Sequence, residues 1–157
     1  MENNELLISE LKTLLNGGGA HVGLKDAIEG LPFNLLGEKP FKLPYSIWQL
    51  VEHIRIAQWD MLEFSKDGNH KSPKWPDEYW PKASEPKDEQ EWHNCLIQID
   101  EDLEAFLELI ESSDLYQEIP NGNGQSILRE AFQIADHNAY HIAEIVIIRR
   151  LMDVWKS

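Results

Sequence analysis

Apolar residues recur at steps of three and four along most of this chain, and alternation with period two is almost absent. Four stretches carry the helical pattern. The first runs from about Asn4 to Leu15, with Leu7, Leu11, Leu14 and Leu15 on one face, and Gly17-Gly18-Gly19 ends it, because glycine is favoured past helix ends. The second starts near Tyr45 or Ser46, after Pro44, and reaches Lys66 on a seam of Ile47, Leu50, Ile54, Ala57, Met61 and Phe64. The third begins around Lys87, with Asp88, Glu89 and Glu91 near its positive end, and continues to Ser112 on Trp92, Leu96, Ile99, Leu103, Phe106 and Ile110. The fourth spans about Ser126 to Val154, with Arg149 and Arg150 near its negative end. Its seam is Ile127, Ala131, Ile134, Asn138, His141, Ile145, Ile148 and Met152.

The connections differ in character. Leu24 to Gly30 suits a helical turn or two, and Pro32, Pro40 and Pro44 punctuate an irregular stretch. Lys66 to Lys87 reads as a long loop, yet it holds Trp75, Tyr79 and Trp80, so it is expected to pack onto the body. Pro120 and Asn121-Gly122-Asn123-Gly124 mark a tight turn. Four amphipathic helices with a period near 3.5 predict an all-α four-helix bundle, one domain over residues 1–157. The long connections permit crossovers, so helix order is left open by pattern alone.

Composition narrows the function classes. Of 157 residues, 42% are hydrophobic, which suits a globular chain, and 28 acidic residues against 14 basic ones give a net charge of −14. Such a surface repels phosphate backbones and anionic lipid, so nucleic acid and membrane surfaces are not expected partners. Cys95 is the single cysteine, the N-terminus is acidic and polar, and the apolar run Ile145 to Ile148 is far short of a span; a cytoplasmic location is expected. Six tryptophans are more than four short seams easily enclose, which points to a homodimer.

The candidate chemistry lies in the histidines. His137 and His141 stand one turn apart on the fourth helix, so two ring nitrogens can converge on one cation. That spacing is weak alone, but His141 falls in the apolar seam and His137 on its edge. Buried imidazoles need partners. His53 flanks the seam of the second helix, and three inward histidines could hold one divalent cation with a position left open, the pattern of catalytic sites. Taken singly, His53 also suits a half-buried helix residue, and the pair also suits a hydrogen-bond network. His21, His70 and His93 fall outside the pattern and read as solvated or local packing residues. Metal affinity is expected to fall as pH drops through roughly 6.5, where free imidazole protonates. No histidine has Glu three residues before it, there is no His-Glu-x-x-His, and Cys95 lies one residue from a core position, where thiols are inert.

The run Pro44-Tyr45-Ser46-Ile47-Trp48-Gln49-Leu50-Val51-Glu52-His53-Ile54-Arg55, together with Asp136-His137-Asn138-Ala139-Tyr140-His141 and the following Arg149-Arg150, resembles the DinB/YfiT-like superfamily of metalloenzymes. The resemblance covers nearly the whole chain. It implies an up-down-down-up four-helix bundle, often a homodimer, and one divalent ion, Ni2+ or Zn2+, on three histidines; by motif these are His53, His137 and His141. Some relatives are thiol S-transferases that use low-molecular-weight thiols such as bacillithiol or mycothiol, and some use a Glu among the ligands. Glu144 is therefore a candidate fourth or outer ligand beside the reading of a partly solvated helix residue, and Asp136 and Glu144 are candidates to orient a ligand imidazole.

Two functions follow as expectations. The first is a metal-dependent enzyme on a small-molecule substrate, a thiol S-transferase or a hydrolase, the ion lowering the pKa of a thiol or of water. The second is a non-catalytic dimeric helical stress or interaction protein with a structural metal or none.

Overall fold

Ser46 and Gln49 fix where the central helix begins. The Ser46 hydroxyl accepts from the Gln49 backbone N–H at 3.2 Å, and the Gln49 side chain accepts from the Ser46 N–H at 3.3 Å, a reciprocal cap of the first turn. The computed structural model describes residues 2–155. In it, α1 spans Glu2–Leu15, α2 Leu24–Ile28, α3 Ile47–Lys66, α4 Glu89–Ser112 and α5 Ile127–Leu151, with short 3₁₀ turns at Phe33–Leu35 and Pro40–Lys42. Among the described residues there is no strand, only isolated bridges at Gly18–His21 and Glu118–Ser126.

The four long helices close a ring: α3 packs on α4 and α5, and α1 packs on the same two. α1 ends as expected, with Gly17 and Gly18 at positive φ and the Gly18 N–H donating to the Thr13 carbonyl at 2.9 Å. α5 stops at Leu151, short of the expected Val154, because Asp153 takes φ 58° and the Val154 N–H turns back to the Arg149 carbonyl at 2.9 Å.

The core is divided. Leu36, Ile47, Leu50, Val51, Ile54 and Ile145 belong to one hydrophobic cluster; Leu11, Leu62, Phe106, Ile110, Ala131 and Ile134 belong to a second. Among buried members, on α3 the first cluster ends at Ile54 and the second starts at Leu62; on α5 the second ends at Ile134 and the first starts at Ile142. The intervening turns carry polar side chains. Gln58, 1% exposed, donates to the Ile99 carbonyl at 2.7 Å and accepts from the Asn138 amide at 3.0 Å. A satisfied polar layer inside a bundle is the setting of a buried site.

The seams hold with local shifts. Leu14 is exposed over a groove between α1 and α5, and Met61 and Phe64 face a cleft, while Leu62 and Ser65 turn inward. Five of the six tryptophans are buried or half-buried by this one chain, Trp75 alone being exposed, so their number does not by itself require a second copy. No described helix is long and apolar enough to cross a membrane.

Candidate metal centre

The polar layer contains the three predicted histidines. One nitrogen of each of His53, His137 and His141 lies within 4.8 Å of one from each of the others. His53 comes from α3 and the other two from α5; His53 and His141 are buried and His137 half-buried. The Nε2 atoms of His53 and His137 stand 3.0 Å apart.

The remaining ring nitrogens decide what those atoms can do. His53 Nδ1 lies 2.8 Å from the Tyr79 backbone carbonyl, which can only accept, so Nδ1 carries the proton. His141 Nδ1 donates to Glu144 Oε2 at 2.7 Å. His137 Nδ1 faces Asn138 Oδ1 at 3.4 Å, and the Asn138 amide nitrogen is already committed to Gln58. With Nδ1 protonated on His53 and His141, their Nε2 atoms offer lone pairs, and His137 Nε2 offers a third in the tautomer whose Nδ1 donates to Asn138. Two lone pairs 3.0 Å apart repel unless a proton or a metal cation stands between them. Tetrahedral nitrogens about 2.0–2.1 Å from zinc stand about 3.3 Å from one another, close to the 3.0 Å between His53 and His137, with the third nitrogen within 4.8 Å of both. The residues therefore fit a divalent ion.

Electrostatics agree with neutral ligands. Burial lowers the pKa of His53 to about 4, against the Tyr79 hydrogen bond, and the neighbouring His141 lowers it further. Burial also lowers His137 to about 4, helped by His141 and His53. Protons thus compete at these two positions near pH 4, well below the 6.5 expected from free imidazole.

The long loop holds His53 in place. It runs back along α3: the Ser46 hydroxyl donates to the Ser84 carbonyl at 2.5 Å, and the Gln49 amide to the Pro81 carbonyl at 3.1 Å. Tyr79 then takes His53 Nδ1, and the Tyr79 hydroxyl donates to Asp60 Oδ2 at 2.5 Å. Burial and the bond to Asp60 both raise the Tyr79 pKa, so this hydroxyl keeps its proton. Tyr79 and Trp80, which stacks on His53, thus pack onto the body as expected, whereas Trp75 stays exposed.

Other sequence candidates separate clearly. Glu144 touches His141 from outside the cluster and orients its ring, whereas Asp136 is exposed on the wall of the cleft. His93 is exposed, and His21 is exposed with Nδ1 3.0 Å from the Val22 carbonyl. His70 is a packing residue: its Nε2 reaches Asp60 Oδ1 at 3.0 Å and its ring lies edge-on to Trp59. Sequence reasoning missed Asp60 and Glu130, both buried and lining the cleft. A signal existed, since Asp60 follows His53 by seven residues and Glu130 precedes His137 by seven, two turns along the same faces.

The described residues form a helical protein with three converging imidazoles on the wall of a cleft, a group that could hold a metal ion. The chain matches the DinB superfamily over residues 23–145, most of its length, and it belongs to that superfamily. No curated protein and no solved structure matches it.

Proposed function

We propose that this protein is a metal-dependent enzyme in which His53, His137 and His141 hold one divalent ion, Zn2+ or Ni2+, and that it acts on a small molecule in the adjoining cleft. The observation that carries this reading is the convergence of three imidazoles: one nitrogen of each lies within 4.8 Å of the others, while an oxygen acceptor faces each Nδ1. When bound, the ion would lower the pKa of a nucleophile, water in a hydrolase or a low-molecular-weight thiol in an S-transferase. The chain does the rest. Trp80 and Tyr79 orient His53, Glu144 orients His141, and Met61, Phe64 and the loop rings shield the imidazoles from bulk water. A cleft of about 720 Å³ reaching all three histidines supports a catalytic over a purely structural ion, which would be closed in.

The same reading carries an up-down-down-up helix order, supported by Trp48 against Trp92 at the starts of α3 and α4 and by the Gly68 N–H on the Pro120 carbonyl, between the end of α3 and the approach to α5. It carries a homodimer, supported by Phe132, Ile147 and Leu151 exposed on α5, and a cytoplasmic setting. Light scattering at micromolar concentration tests the dimer.

The test of the metal is elemental analysis of protein purified without a nickel column. One ion per chain is expected, lost in His141→Ala and retained in His93→Ala. Full metal content in the His141→Ala protein, or none in the wild type, overturns the proposal.

A further inference from the structure

The cleft has two chemically different ends. Seven residues of helix return a side chain to the same face about 10 Å further along the axis, so Asp60 on α3 and Glu130 on α5 both lie about that far from the imidazole layer. Asp60 is 8% and Glu130 4% exposed, and both line the cleft. Asp60 is held by the Tyr79 hydroxyl and by His70. Glu130 has no such company. Among the described residues no Lys, Arg or His forms an ion pair with it; the Gln133 amide, turned to donate, reaches its oxygens at 3.2 and 3.3 Å. Adjacent Arg129 is exposed and lines the groove shared with α1 instead. Burial raises the Glu130 pKa, against the pull of Arg129, which is the behaviour of a carboxylate short of positive charge.

Between the two ends the walls are rings. Trp75, Tyr79, Trp80 and Tyr140 line the cleft, Trp75 and Tyr140 at 68% and 65% exposure. Among the described residues that line it there is no Lys or Arg. Aromatic faces and buried carboxylates together attract cations, and they repel anions.

We propose that the substrate of this cleft is an organic cation: an ammonium or guanidinium group on an apolar or aromatic body, its charge set against Glu130 and Asp60 and its reacting group at the imidazoles about 10 Å away. The assignment of the reacting end rests on the metalloenzyme reading; the cation end rests on Glu130 and the rings. A thiol cosubstrate that bears carboxylates would meet Asp60 and Glu130 with like charge, so a thiol used here is neutral or cationic.

The test compares three probes of one shape, 4-phenylbutylamine, 4-phenylbutanol and 4-phenylbutyrate, by quenching of tryptophan fluorescence in 0.15 M salt. Full-length protein is titrated both metal-free and zinc-loaded, with bound zinc measured in parallel. The amine is expected to bind at least about tenfold tighter than the alcohol, and the butyrate not to saturate. Glu130→Gln should remove the amine's advantage and leave the alcohol unchanged, and Glu101→Gln, an exposed carboxylate elsewhere, should change neither. Butyrate binding as tightly as the amine to metal-free protein, where no zinc can take its carboxylate, overturns the proposal even if no variant folds. So does an undiminished amine preference in folded Glu130→Gln protein. Zinc retained without an amine preference sinks the cation site alone, and an amine preference in protein that retains no zinc sinks the metal reading alone.

Discussion

Trp80 lies flat on the His53 imidazole, with 3.8 Å between ring centroids and 10° between planes. Tyr45 covers the other face of the indole at 3.8 Å and 9°. The stack and the Tyr79 carbonyl leave His53 one orientation, although both contacts come from a loop remote in sequence. Trp80→Ala should therefore weaken zinc binding by about 10–100-fold, the usual cost of losing support around a ligand. Trp80→Phe should recover most of it. Competition with a chromophoric chelator reads both; equal affinities for wild type and Trp80→Ala would show that the stack does not position His53.

Metal-free protein should lose stability as pH falls from about 6.5 towards 4. The folded pKa values of His53 and His137 are lowered to about 4, so over this window the unfolded chain takes up protons that the native chain refuses. Each imidazole accounts for up to about 3 kcal/mol, and the coupled pair for less than twice that. Buried Asp102 and Glu130 act the opposite way, since burial raises their folded pKa values and stability from them grows as pH falls. The histidine part is isolated by His53→Gln/His137→Gln, whose urea midpoint should depend less on pH than that of the wild type. Parallel curves for the two proteins would count against neutral buried imidazoles.

Cys95 should be silent. It is 4% exposed, and burial together with nearby Glu52 pushes its thiol pKa well up, so thiolate is scarce at neutral pH. Modification by a disulfide reagent at pH 8 should run at least about 100-fold slower in native than in urea-unfolded protein, and Cys95→Ala should keep full metal content. Rapid native labelling would reopen a covalent role.

The four seams and the histidine trio were legible because helical period and face are local properties of sequence. His141 could be placed from its neighbours Ile134, Ile145 and Ile148 alone. What the pattern could not give were contacts made by chain returning from elsewhere: Trp80 on His53, Tyr79 on Asp60, and the burial of Glu130, which reads locally as one more acidic residue in a first turn. Arg149 and Arg150 show the same limit. Both suit a helix C-terminus, yet one is buried at 5% exposure and the other is exposed.

Gly68 is required by close approach, and not by its dihedral angles. Its N–H donates to the Pro120 carbonyl at 3.1 Å, and a Cβ there would meet Pro120 O at 2.4 Å and Gly122 N at 2.6 Å. Both are backbone atoms and cannot swing aside. Gly68→Ala should cost about 1–3 kcal/mol, read as a lower urea midpoint with unchanged slope. An unchanged midpoint would mean that the two loops separate freely.

Arg149 binds the C-terminal turn and the α2 segment to α5. Its guanidinium donates to the Ala27 carbonyl at 2.6 Å, the Glu29 carbonyl at 2.9 Å and the Val154 carbonyl at 3.1 Å, and lies 5.2 Å from the Trp155 ring. Burial lowers its pKa, with Glu29 opposing the shift, but an arginine remains charged. Removing the donors leaves the carbonyl of buried Ala27 without this partner and frees those of Glu29 and Val154, while a methionine keeps the stem's packing. Arg149→Met should therefore cost about 3 kcal/mol, and Arg150→Met, on the exposed side of the same turn, no more than about 0.5 kcal/mol. Thermal unfolding of the two variants side by side decides the matter. Equal losses would mean that both arginines act only through the helix dipole, and that the three carbonyl contacts contribute nothing to stability.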